Sequence, residues 1–369
     1  MKRYIFIVVA VALATVSCSK TYDTNRNANE GTAISLGSWA SGLTRARGAG
    51  ASAFANGDTL YVFGAKKNDA PAACDTVFNG VSVGTADNGV TWTYSPIRFW
   101  DRGYDRYDFF AISPSEDVAL SDLLASHDAA LGTMTSKPIA LAGNDNDILI
   151  ADSTHVLKAA YGAPVNLVFR HINAMFDLKV RKGAGIGDNG TLAITAVSIE
   201  NIDSLGTFAV SGYAASTDTA IVAWSPSQVG HYTNLSGIIP VSTLPTDVAT
   251  DATSTLIDSL IVMPQTFRDA GDIQQLKISY TITTGTGANE QVDTFTDKVY
   301  DLRLFDKSDY PTDDDAGTDG NQYNDGTLVS GWAAGVHYIY IITIDAEGIE
   351  FTAEIEPWGN ENGYYYILN

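Results

Sequence analysis

The sequence predicts an all-β protein, and three observations predict it. Thr, Val, Ile and Tyr are plentiful against only 4 Met, a bias toward side chains that suit a pleated, half-buried surface. Short segments alternating apolar and polar residues recur between clusters of Gly, Asn, Asp and Pro. A single stretch, residues 118–127, offers helical spacing, through Leu120, Leu123 and Leu124, and reads as a short helix or turn. With 369 residues, 45% of them hydrophobic and 18% charged, the chain has room for two or three domains with real cores.

From the N-terminus, Lys2 and Arg3 precede an apolar run over residues 5–14, too short to span a bilayer, so residues 1–17 read as an export signal. Thr15, Val16 and Ser17 lead into Cys18, the arrangement of a bacterial lipoprotein signal, with lipid expected on Cys18. Ordinary cleavage, with Cys18 a bystander, is the alternative. Lipid on Cys18 leaves Cys74 as a lone, half-buried apolar residue with no disulfide partner. Residues 18–47 then read as a tether ending in a detachable strand, whose alternating Thr32, Ile34 and Leu36 point one way. Strands follow at 59–63, 91–98, 108–112, 147–151 and 165–180.

The glycine-rich run 183–190 lacks side chains to build a core, and the domain boundary is placed there. An N-terminal β-sandwich domain is expected over 48–184 and a C-terminal one over 190–358. The latter carries strands at 191–202, 207–211, 220–224, 256–263, 275–284, 291–305, 336–345 and 349–358, with a hairpin turn at Ala346, Glu347 and Gly348. Residues 359–369 remain as a tail.

Charge and motifs exclude several functions. A net charge of −21 repels phosphate backbones and anionic headgroups, so no nucleic-acid partner is expected. There is no Gly-x-Ser-x-Gly elbow, P-loop, His-Glu-x-x-His or Cys-x-x-Cys, so neither an enzyme nor a cofactor is expected. The five histidines lack metal-ligand spacing, and His171 reads as a hydrogen-bonded strand residue. An acidic loop with Asp313, Asp315 and Asp319 among glycines offers the oxygen ligands calcium needs. Its spacing departs from the EF-hand, and a solvated loop is the preferred reading. Aromatics from Trp92 through Trp100 to Phe110 read as core, with stacking on sugar rings as the alternative.

Taken in order, several segments resemble the fimbrillin family, pilus subunits and surface lipoproteins of anaerobic Gram-negative bacteria. They are Thr44-Arg45-Ala46, Gly57-Asp58 before Tyr61-Val62-Phe63-Gly64, Trp92 with Trp100, and Tyr107-Asp108-Phe109-Phe110-Ala111. Further along come Asp147-Ile148-Leu149-Ile150-Ala151, Val165 through His171, Val262-Met263-Pro264-Gln265, Trp332 through Gly335 to Tyr338, and Pro357-Trp358.

The resemblance implies two tandem transthyretin-like sandwiches, export as an outer-membrane lipoprotein, and assembly with other pilus subunits by strand exchange. An arginine-specific protease would remove the leading strand after Arg45 or Arg47, both set among small residues, and a strand of another subunit would fill the groove. Tyr364, Tyr366 and Leu368 share one side of the tail, which either donates that strand or pairs within its own domain. Because the tail is short, the expected role is a tip or accessory subunit serving adhesion to a host or bacterial surface receptor or glycan. The alternative is a permanently anchored surface lipoprotein that binds glycans.

Overall fold

A computed structural model of the chain describes residues 31–36, 54, 56–89, 91–114, 118–141, 147–152, 154–217, 219–226, 244–249, 252–304, 329–346 and 348–357. The strands of its first half are β1 (Thr59–Asp69), β2 (Ala72–Gly84), β3 (Arg106–Pro114), β4 (Leu124–Asp128), β5 (Thr133–Ser136), β6 (Ile139–Ala140), β7 (Ile148–Ala151), β8 (Thr154–Leu157), β9 (Phe169–His171) and β10 (Ala174–Lys182). One helical turn, α1 (Leu120–Leu123), precedes β4. Next come β11 (Thr191–Glu200), β12 (Leu205–Tyr213), β13 (Ala220–Pro226), β14 (Ser254–Val262) and β15 (Gln265–Thr266). The last are β16 (Gln275–Thr284), β17 (Gln291–Asp301), β18 (Gly331–Trp332), β19 (Val336–Ile344) and β20 (Ile349–Pro357). The protein is all-β, as its sequence predicts.

Alternation becomes burial most clearly in β16, where Leu276, Ile278, Tyr280 and Ile282 turn inward. Its sheet, ordered β11-β16-β17, packs against a sheet ordered β14-β10-β19-β20. Leu192, Ile194 and Ile199 meet Phe176, Leu178, Tyr340 and Ile342 in that core. This pair of sheets forms one sandwich.

A sheet ordered β2-β1-β3-β7-β9, with β8 also on β3, supplies the other main layer, and both its faces are covered. On one face Phe63, Phe110, Ile112 and Ile150 pack with Met134, Phe208 and Val210 of the sheet β13-β12-β5-β4. On the opposite face Leu60, Val62, Tyr107, Phe109 and Leu149 gather with Trp92, Trp100, Val165, Leu167, and with Ile34 and Leu36 of the leading segment.

Pairing does not follow the glycine run. β10 lies ahead of it yet runs parallel to β19, while β12 lies beyond it yet pairs with β5 and β6. The run itself is packed: Gly185 N–H donates to Asp345 Oδ2 at 3.2 Å, and a Cβ on Gly183 would sit 2.6 Å from the same oxygen. Small residues are needed because a carboxylate fills the space.

Cys74, half-buried in β2, is disulfide-bonded, which corrects the expectation of a lone thiol. Cys18, the chain's other cysteine, lies outside the described residues.

Candidate functional site: the seat of the leading segment

Residues 31–36, Gly-Thr-Ala-Ile-Ser-Leu, lie extended between two other stretches of backbone. Ala33 bridges Phe99 antiparallel and Leu36 bridges Val165 parallel. Ile34 N–H donates to Arg98 O at 2.9 Å, Trp100 N–H to Thr32 O at 3.0 Å, and Val165 N–H to Ser35 O at 2.9 Å. The segment therefore sits in its slot as an inner strand, hydrogen-bonded on both flanks.

Alternation decides which side chains enter. Ile34 is 1% exposed and Leu36 5%, whereas Ala33 and Ser35 face outward. Burying two aliphatic side chains contributes about 1.5 to 3 kcal/mol each. The wall they meet is aromatic, with Trp100 stacked on Tyr161 at 4.8 Å and edge-on to Tyr107 at 4.8 Å. Two polar groups mark the slot. Tyr94 Oη donates to Ile34 O at 2.6 Å and accepts from Arg98 N–H at 3.3 Å. Burial raises the Tyr94 phenol above its ordinary value, which keeps that donor protonated. The Trp100 indole N–H is buried without a hydrogen-bond partner among the described residues.

If the segment left, Arg98 O, Trp100 N–H and Val165 N–H would lose their backbone partners and the apolar slot would open to water. A strand with side chains spaced like Ile34 and Leu36 satisfies both needs together.

Elsewhere, sequence expectations meet mixed outcomes. Ile34 and Leu36 are buried together, as their spacing predicts, while Thr32, the third residue of that alternation, is exposed. Trp92, Trp100, Tyr107, Phe109 and Phe110 are buried and form core, whereas Tyr94 and Tyr104 are half-buried and Phe99 is 37% exposed, so the core reading holds for part of the cluster. His171 is buried with Nδ1 3.0 Å from Asp147 Oδ1, a hydrogen-bonded strand residue as expected. Cys18, Arg45, Arg47, Asp313, Asp315, Asp319, Tyr364, Tyr366 and Leu368 lie outside the described residues. Among the described residues no three His, Cys, Asp or Glu side chains converge on a metal position. Sequence reasoning missed the roles of Tyr94, Arg98 and Val165, which only the fold brings beside Ile34.

Packed β-sheets with a short strand lodged in a slot define a β-sandwich protein. The chain belongs to the Fimbrillin-like family, which matches residues 44–358. A fimbrial protein from Bacteroides vulgatus superposes with a TM-score of 0.58 at 16% identity, over 88% of this chain and 99% of that one. The tip fimbrial protein Mfa3 from Porphyromonas gingivalis, with a C-terminal truncation, aligns over 89% of this chain and 99% of its own, at 10% identity and a TM-score of 0.42. No curated protein matches. Family membership makes this a fimbrial-type protein of the cell surface.

Proposed function

We propose that the protein is a pilus subunit, of tip or accessory type, assembled by strand exchange and serving adhesion. The observation that carries this is the lodged segment itself: a short strand joined to both neighbours and anchored by Ile34 and Leu36 alone among its side chains. A protease cutting after Arg45 or Arg47 would sever the backbone that joins residues 31–36 to the strands after them. A strand of a sister subunit, or the tail with Tyr364, Tyr366 and Leu368, would take the vacated place. Donation from one copy to the next does not close on itself and so builds a filament. Lipid on Cys18 would hold the unprocessed chain at the outer membrane until the cut.

The experiment is to isolate the protein from cells and determine its N-terminus and its state of assembly. Chains starting at Ala46 or Gly48 within polymers are expected, alongside a precursor lipidated on Cys18. Intact monomers that keep the leading segment uncut would overturn the proposal.

A further inference from the structure

We propose that Phe99 and Trp100 are the specificity-determining residues of the seat, and that together they select the last residues of a second copy of this chain. This rests on the strand exchange proposed above and adds what the slot demands of its occupant.

Phe99 acts on the strand's entry. A Cβ placed on Gly31 would lie 3.0 Å from Phe99 Cβ, tighter than ordinary packing. The slot therefore favours glycine three residues ahead of the first buried anchor, Ile34, since any larger residue there requires Phe99 to give way. Any strand shifted by one residue brings a side chain against Phe99 and also turns its anchors outward, so this contact helps fix register.

Trp100 acts on the first anchor. With Ala33 opposite Phe99 in the antiparallel bridge, Trp100 lies diagonal to Ile34. Such neighbours stand about 7 to 8 Å apart, within reach of an aromatic side chain. The Trp100 indole is 5% exposed and its N–H has no acceptor among the described residues, a costly state for a buried donor. Ile34 offers no polar atom. A tyrosine in its place brings a phenolic oxygen that can accept from Trp100.

The tail meets both demands in one register. Aligning Gly363 with Gly31 places Tyr366 at the first anchor and Leu368 at the second, where Leu36 now sits, and Tyr365 falls at the outward position of Ala33. The leading segment thus meets the glycine demand and leaves the indole unsatisfied, whereas the tail meets both.

The test uses the full chain nicked by trypsin, with labelled peptides added to compete for the seat. The probes are residues 30–37 as they stand and with Gly31→Val, Ile34→Tyr or Ile34→Phe, together with residues 362–369 as they stand and with Tyr366→Phe. Gly31→Val is expected to weaken capture about tenfold, and Phe99→Ala in the protein to restore it. Tyrosine at the first anchor is expected to outbind phenylalanine by about tenfold, a difference erased by Trp100→Phe. Equal binding of Tyr and Phe, or indifference to Gly31→Val, overturns the proposal.

If no peptide enters at all, strand exchange itself fails. The two determinants are then still judged within the intact chain. Gly31→Val should speed tryptic release of the leading fragment, with Phe99→Ala restoring retention, and Ile34→Tyr should retain it longer than Ile34→Phe. The opposite results overturn them there.

Discussion

Ile34 is the residue on which the lodged strand most depends, because backbone hydrogen bonds accept nearly any sequence while a buried side chain does not. Ile34→Ala removes a side chain that is 1% exposed and should lower stability by about 2 to 5 kcal/mol, read from the urea midpoint. It should also speed loss of the leading fragment after trypsin. Asp108 carries a different dependence. Burial pushes its carboxyl up, but Lys67 at 2.7 Å and His155 at 2.5 Å outweigh this and hold it below the usual carboxylate value. A depressed folded value means the contribution is fully present above the unfolded value, about pH 4, and fades as pH falls through the folded one. Urea midpoints measured from pH 6 to about pH 2 should fall less steeply on the acid side for Asp108→Asn than for the parent.

At the scale of elements, legibility followed packing. β16 spans residues 275–284 as alternation predicts, because one face meets the core and the other does not. β2 escaped notice: most of its residues are half-buried, so no clean period survives in its sequence. The alternating stretch 91–98 did not become a strand, and only Thr93 makes a bridge there, to Gly84, near Pro96, which has no amide to give. The helical spacing of Leu120, Leu123 and Leu124 yields one turn before β4 begins. Within the site, Ile34 and Leu36 were readable from their spacing, whereas Val165 and Trp100 meet them only through contacts distant in sequence. The glycine run reads as a linker because sequence cannot show Asp345 lying against it. Gly183→Ala would set a Cβ 2.7 Å from Asp345 Cβ, which cannot rotate away, and should cost about 1 to 3 kcal/mol by urea unfolding, with Asp345→Gly relieving most of the loss.

The whole molecule carries a net charge of −21, so copies approaching one another repel before any strand finds a slot. Salt shortens the reach of that repulsion from about 30 Å at 0.01 M to about 8 Å at 0.15 M. Nicked protein should therefore associate faster at the higher ionic strength, as followed by light scattering. The sheets also interlock along the chain, since β10 and β12 each pair across the run 183–190. Cutting there should not yield two independently stable halves.

The lodged segment has one neighbour running against it and the other running with it. Because the two hydrogen-bond patterns differ, a strand inserted backwards would mismatch on both sides at once. The slot is a one-way socket. Any assembly built through it inherits that polarity, with an open socket at one terminus and a spare plug at the other, so each end calls for a different capping partner.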